Sequence, residues 1–492
     1  MGQQQIAPRD QARLREFMRA LLEDVRALER MIDEDRIESG IRRIGAEQEM
    51  FLVDSGMRPA PVMNEVMSRL SGGSYTTELG LFNLEANLTP YDLGPDCLTK
   101  MEAELVDLLD RARKASEEVG AKVLLVGILP TLELDDLGLE SMTPSPRYHE
   151  LNRIMTELRG GEFRTLIKGL DELHATHDNV MLEACNTSFQ IHFQVGAGEF
   201  ATLYNLAQAA TAPVLAAAVN SPVLLQHRLW HETRVALFQQ SLDARSKAHT
   251  ARGTRQRVHF GDKWVKRSVL EIFREDIARY RVLIAGDLDE SPMEVLDRGE
   301  VPQLRALRLH NGTIYRWNRP IYDVVRGRPH LRVENRLLPA GPSVVDICAN
   351  AAFYYGLVRT LAEEERPLWS QMSFSAAEDN FHAGAREGID TRLYWPGVGE
   401  VPVTELVLRR LLPAANAGLE SAGIDAADRD RLLGVVERRC VNMQNGASWQ
   451  AGAFHRFYED QQLDRLEALR RMTVLYREHM HANEPVHDWP LP

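Results

Sequence analysis

The chain has 492 residues, enough to bury a large core, and a length prior allows two to four domains. Apolar content of 44% and charged content of 26% are ordinary for a globular protein. A net charge of −13, an isoelectric point near 5.7 and the lack of any strongly basic run argue against a nucleic-acid partner.

An anionic nucleotide still suits such a chain when magnesium sits between the two. The four cysteines, Cys97, Cys185, Cys348 and Cys440, are widely separated and form no C-x-x-C pair. That spacing reads as reduced thiols packed in a cytosolic protein. The start, MGQQQIAPRD, has no apolar leader, and no apolar run approaches membrane-spanning length. The expectation is a soluble cytoplasmic protein with no membrane partner.

Residues 9–34 repeat apolar positions at helical spacing, with Asp10 as a candidate cap. Residues 41–54, IRRIGAEQEMFLVD, read as a strand entering a core. Glu47 and Glu49 are two apart, so they share a face of that strand. Two carboxylates held that close repel, and a bound cation is the commonest reason to keep them together. A solvated acidic edge is the plainer alternative.

Residues 76–90, TTELGLFNLEANLTP, alternate again, with Glu85 and Asn87 on one face; Glu78 precedes a glycine and could be a loop residue. A helix is expected at 98–118 and a buried strand at Val123–Leu129. SPRYHEL at 145–151 leads into a helix. Residues 180–195 read as a strand, with Ser188, Gln190, His192 and Gln194 on one face.

An Ala-rich helix is expected at 202–219. Arg228, His231, Arg234 and Arg245 form a group of potential anion ligands, and 246–265 reads as a basic surface loop. Strands are expected at 307–317 and 330–339, the second placing Arg332, Glu334 and Arg336 on one face. Helices dominate from Val345 on, at 345–364, 375–388, 404–422, 427–439 and 460–482. His174 and His177 in LHATHD invite a zinc reading, but no further ligands are spaced to complete it.

The pattern is α+β, with one mixed or antiparallel sheet carrying polar residues on a concave face. Carboxylates with one imidazole suit magnesium or manganese. Arginines beside them suit phosphate. Together they are what phosphoryl transfer from a nucleotide requires. The chain has no Gly-rich phosphate loop and no G-x-G-x-x-G turn, so ATP would need another architecture.

The order of these blocks resembles a known family. E-x-E on a strand is followed by Glu78 and Glu85 in E-x6-E before Thr89-Pro90, a strand His192, and R-x-E-x-R. SPRYHEL, the Asn220-Ser221-Pro222 turn, Asn380–Gly388 and NGASWQ at 445–450 add to the likeness. The chain resembles the glutamine synthetase / glutamate–cysteine ligase superfamily over roughly residues 40–450, and within it the carboxylate–amine ligase branch, glutamate–cysteine ligase family 2.

The resemblance implies a curved, largely antiparallel sheet forming an active-site funnel packed by helices. It divides the chain into an N-terminal helix at 1–40, a catalytic region at 41–345 and a helical region at 346–492 on the same domain. It implies ATP as co-substrate, Mg2+ or Mn2+, and an amide-forming reaction through an acyl phosphate. γ-Glutamylcysteine, the thiol peptide of glutathione biosynthesis, is the favoured product. The amine stays open, because 228–244 matches no substrate pattern and HNGTIYRWNR at 310–319 suggests contacts of its own. A non-catalytic nucleotide or amino-acid sensor and a metal-dependent hydrolase remain as other classes, and a homo-oligomer is allowed.

Carried over by resemblance, Glu49, Glu78 and Glu85 hold one metal, and Glu47, His192 and Glu334 another. Arg336 and Glu334 are the catalytic pair. Arg336 and Arg386 meet the nucleotide, Gln190 the nucleotide or the substrate, and Arg234 and Arg332 the substrate; a surface pair with Glu334 is the plainer reading of Arg332, and a solvated side chain that of Arg386.

Overall fold

The computed structural model describes residues 11–243, 245, 255–286, 288–362 and 366–492. The helix Gln11–Asp33 opens it, burying Phe17, Leu21, Val25, Leu28 and Met31 along one stripe. Its proposed cap, Asp10, lies outside the described residues. Asp24 points inward from this helix and accepts from the Leu307 N–H at 2.8 Å. Burial pushes the Asp24 carboxyl up to about 7.

The centre is one antiparallel sheet of eight strands: β1 (Arg43–Val53), β2 (Tyr75–Thr77), β3 (Asn83–Asn87), β4 (Tyr91–Asp92), β5 (Lys122–Leu124), β6 (Phe189–Val195), β7 (Asn318–Val325) and β8 (Arg328–Asn335). The main path runs β7-β8-β6-β1-β3-β2, and β4 and β5 pair with the two ends of β1. The register sets Glu49 opposite Glu85, Glu47 opposite Gln190, His192 opposite Glu334, and Glu334 opposite Arg319. Directly paired residues share a face, so one face of the sheet gathers the polar side chains.

The other face carries Ile44, Ala46, Met50, Leu52, Phe189, Ile191, Phe193, Leu331 and Val333, all buried. The helices Phe200–Ala218 and Val344–Leu361 cover it. Tyr355 donates to the carbonyls of Gly45 (3.2 Å) and His192 (3.1 Å), and Tyr204 to that of Asn318 (3.0 Å). Val344–Leu361 is apolar nearly all round because the helices Leu412–Ser421 and Ala426–Asn442 bury its far side. Gly356 and Gly418 meet there, and a Cβ on either would run into the facing backbone.

Several sequence expectations change. The stretch 307–317 is not a strand. Arg305–Asn311 is helical, with Ala306, Leu307 and Leu309 turned inward, and only Tyr315–Arg316 pairs, in parallel, with Val258–His259. The L-R-L-H alternation imitates a strand, yet about two helical turns bury the same residues. The unforeseen strand is β7, which starts at Asn318.

Val123–Leu129 is buried throughout, but its ladder stops at Leu124. Beyond it, Tyr476, Asn220 and Thr187 take up the backbone groups of Leu125, Val126 and Gly127, so no strand is needed to satisfy them. Residues 181–185 form a 3-10 turn before β6. β8 ends at Asn335, short of 339.

The basic loop at 246–265 falls partly outside the described residues; its described end is not a surface loop, because Val258, His259 and Phe260 are buried. The C-terminal helices follow the expected order. A hairpin, Arg392–Trp395 with Gly399–Pro402, interrupts them, and Gly446–His455 is an added helix.

Arg439, fully buried, ties the C-terminal helices to Val344–Leu361. It contacts the Asp346 carboxylate at 2.7 and 3.1 Å and Asn350 Oδ1 at 2.6 Å. Asp346 also accepts from Ser343 Oγ and the Val486 N–H. Replacing Arg439 by Met should lower the unfolding free energy by about 3–5 kcal/mol, because a buried carboxylate is stranded. Urea denaturation reads this as a lower midpoint at unchanged slope. A loss below about 1 kcal/mol would mean that the network contributes little to the fold.

Candidate active site

The polar face of the sheet holds two groups of metal-ligand type. In one, Glu49 from β1, Glu78 after β2 and Glu85 from β3 bring one carboxylate oxygen each within 4.8 Å of one another. In the other, Glu47, His192 and Glu334 do the same with two oxygens and a ring nitrogen. These are the only such triads among the described residues.

The first group is oriented by hydrogen bonds. Glu49 Oε2 accepts from the Ser188 N–H at 2.6 Å, and its Oε1 accepts from Gln190 Nε2 at 2.7 Å. Glu85 Oε1 accepts from Thr76 Oγ1 at 2.5 Å and from Asn87 Nδ2 at 3.1 Å. In the second group, His192 Nε2 is 3.5 Å from Glu47 and 3.7 Å from Glu334, too far to bond either well. That nitrogen is buried without a partner.

Gln190 and Arg336 join the two groups. Arg336 Nη1 donates to Gln190 Oε1 and to Glu334 Oε1, each at 2.6 Å. Arginine can only donate, so the Gln190 oxygen faces it and the Gln190 nitrogen faces Glu49. A continuous chain, Glu49–Gln190–Arg336–Glu334, therefore crosses the sheet face. Arg319 closes on Glu334 from β7 at 2.8 and 3.0 Å.

The charges are unequally compensated. Burial, with Glu85 and Glu334 nearby, pushes Glu47 up to about 8. Burial and Glu85 raise Glu49, and burial with Glu85 and Glu49 raises Glu78 well above the ordinary range. Burial also acts to raise Glu334, but Arg319 and Arg336 outweigh it and hold that carboxylate well below its usual range. Burial lowers His192 to about 3, leaving a neutral ring whose free nitrogen is a ligand lone pair. Carboxylates short of positive charge, plus an orphaned imidazole nitrogen, form a donor set that fits a hard divalent cation in each group.

A cavity of about 630 Å³ opens onto Glu49, Glu78, Glu85, Gln190, Arg234 and Arg336. Its remaining wall includes Tyr148, Leu151, Phe238, Tyr315 and Trp317. Glu47, His192 and Glu334 lie along the sheet beyond that wall.

Arg234 lines the cavity, held by Glu232 and by the Leu337 carbonyl at 2.9 Å, with its Nε unpartnered. Arg332 shares the sheet face but is turned to Asp323 at 3.1 Å, away from the cavity. Arg386 is exposed and stacks over Trp230 at 4.8 Å, outside the cavity wall. Neither side chain lines the cavity. Arg228 and Arg245 are engaged by Asp171 and Asp243, and His231 is half-buried outside the cavity wall, so the expected anion group does not assemble.

His174 is exposed beside Glu172, and His177 is stacked on Phe163 and bonded to the Asn179 carbonyl. Neither belongs to a ligand cluster among the described residues. All four cysteines are buried and free.

Two residues of the site were missed. Arg319 follows Trp317-Asn318 and precedes Pro320, so no clean alternation announces its strand. Glu183 lines the cavity and is pushed up to about 7 by burial and by Glu49. Its signal was a lone carboxylate inside the apolar run VMLEAC.

The raised carboxylates fix a sign. Glu47 binds more protons folded than unfolded, so its contribution to stability is full below its unfolded value of 4.5 and is lost as pH rises through about 8. Cation binding needs the ionised forms, so added magnesium should stabilise the protein more at about pH 8.5 than at about pH 6. Calorimetric melting with and without magnesium checks this, and equal increments at both pH values would contradict it.

Residues 43–461 match the model of glutamate–cysteine ligase family 2. No curated protein sequence matches. Among solved structures, the glutamate–cysteine ligase (gshA) of Francisella tularensis in complex with AMP is similar over 90% of each chain, at 13% identity and a TM-score of 0.51. A bifunctional glutathione synthetase from Pasteurella multocida is similar over 93% of this chain and 55% of its own, at 11% identity and a TM-score of 0.45. The ligase PafA, in complex with the prokaryotic ubiquitin-like protein Pup, follows with 89% and 72% coverage, 10% identity and a TM-score of 0.40. The curled antiparallel sheet has the glutamine synthetase-like fold. Among the described residues, no helix is long and apolar enough to cross a membrane. With most of its length inside the family model, the chain belongs to glutamate–cysteine ligase family 2 and is an ATP-dependent ligase of that type.

Proposed function

We propose that this ligase joins a carboxylate to an amine through an acyl phosphate, with glutamate and cysteine as the favoured pair. The observation that carries the reading is the Glu49–Gln190–Arg336–Glu334 chain. It sets one guanidinium between two cation-type groups at the edge of a cavity. The catalytic region is taken as 41–345, with the helix of 1–40 and the helices of 346–492 packed on it.

Glu49, Glu78 and Glu85 would hold one divalent cation, and Glu47, His192 and Glu334 a second. Bound there, such ions neutralise the triphosphate and the group in transfer. A substrate carboxylate oxygen attacks the terminal phosphorus, and the bridging bond to ADP breaks. Arg336 donates to the transferred phosphoryl oxygens, where charge is redistributed in the transition state. Glu334 and Gln190 keep its guanidinium in place. Arg234, with a free Nε in the cavity wall, receives the substrate's other carboxylate. The amine nitrogen then attacks the acyl carbon, and phosphate leaves.

The aromatic and aliphatic wall of the cavity favours a second form of this reading, the same chemistry with a bulkier amine than cysteine. Phosphate release from ATP and magnesium, with glutamate and one amine at a time, decides between them. Release that needs glutamate and rises with cysteine supports the first form; release that needs another amine supports the second. No release from folded protein with any pair would overturn both. Arg336→Met should cut turnover by about 10²–10³-fold, the loss expected for one preorganised donor at a developing charge, with folded protein by circular dichroism. Unchanged turnover would remove Arg336 from the chemistry.

A further inference from the structure

The carboxylate of Glu183 has no place in either cation-type triad or in the Arg336 chain. It sits on the Met181–Cys185 turn, immediately before β6, and lines the cavity together with Glu49, Gln190 and Arg336. Its side chain makes no hydrogen bond and no ion pair among the described residues, although the residue is half-buried between Leu182 and Ala184 in an otherwise apolar run. Its charge acts on the phenols of Tyr148 and Tyr315 in the same wall, where burial is the larger effect. The Arg336 guanidinium acts on its charge from a distance but is bonded to Gln190 and Glu334, so the carboxylate is left to pair with a cation from outside. The two triads already account for the inorganic cations, so the missing charge is that of a substrate.

The geometry points to Glu183 as the residue that receives the ammonium of the incoming amine and takes a proton from it. The assignment rests on the ligase reading above. An amine enters as R–NH3+ and cannot attack until a lone pair is freed. The ammonium donates one proton to the Glu183 carboxylate. The nitrogen lone pair then forms the C–N bond, and the C–O bond to phosphate breaks with its electron pair on the phosphate. The nitrogen's second surplus proton goes to the departing phosphate, leaving amide, hydrogen phosphate and a protonated Glu183, which returns its proton to water.

The test compares two nucleophiles in one enzyme. With ATP, magnesium and glutamate, hydroxylamine traps the acyl phosphate as a hydroxamate. It is uncharged near neutral pH, so it needs neither an ammonium site nor a base. Cysteine, or the amine found active with the wild type, needs both. Glu183→Gln should lower kcat/KM for the amine by about 10²-fold while leaving hydroxamate formation within about threefold. Glu183→Asp should recover part of the amine reaction. Retained hydroxamate formation itself shows that the variant is folded. Equal losses with both nucleophiles, or no loss with either, would overturn the assignment of Glu183 and leave the ligase reading standing. A wild-type protein that forms no hydroxamate and no amide would overturn the ligase reading, and this assignment with it.

Discussion

Mutual repulsion among carboxylates on one sheet face is the constraint around which this structure is arranged. Glu47, Glu49, Glu85 and Glu334 are crowded by the register of β1, β3, β6 and β8, Glu78 joins them from just after β2, and burial removes the water that would screen them. Arg336 and Arg319 satisfy Glu334 alone. Glu47, Glu49 and Glu78 are driven toward their protonated forms. Such a face is stable in two ways, by taking up protons or by taking up cations, and only the second leaves it charged at neutral pH. In the proposed reading the same imbalance suits the face to a triphosphate, whose own charge needs those cations as well.

The opposite face makes this affordable. Phe189, Ile191, Phe193, Leu331 and Val333 pack on two nearly all-buried helices, and the second of these, Val344–Leu361, is locked in turn by Arg439 on Asp346. Tyr355 bonds directly to the backbone of Gly45 and His192, a register pair of which His192 belongs to the second acidic group. The rigid apolar layer therefore fixes the strand positions from behind, and the acidic side chains have little room to separate. Preorganisation of this kind is what a phosphoryl-transfer site needs, because its chemistry depends on placement more than on covalent participation.

Much of this was legible in the sequence, for a specific reason. Period-two alternation places Glu47 with Glu49, and Gln190 with His192, on shared faces before any strand pairing is known. The pairing itself was not legible: that Glu49 faces Glu85, or that Glu334 faces both His192 and Arg319, depends on long-range register. Arg319 was hidden because Pro320 and Asn318 blur its strand. Nor was the direction of Arg332 legible, since sharing a face with Glu334 does not stop it from turning to Asp323. Arg386 was placed by motif alone, and motif says nothing of the Trp230 ring that holds it outside. The 307–317 error has the same origin as the successes: alternation of Leu with polar residues fits a short helix as well as a strand.

The most direct test of the central claim is anomalous diffraction from crystals grown with manganese and a non-hydrolysable ATP analogue. The account predicts a manganese peak at Glu49, Glu78 and Glu85, a second at Glu47, His192 and Glu334, and the analogue's terminal phosphate beside Arg336. Manganese bound elsewhere, or a triphosphate lying away from this sheet face, would contradict it.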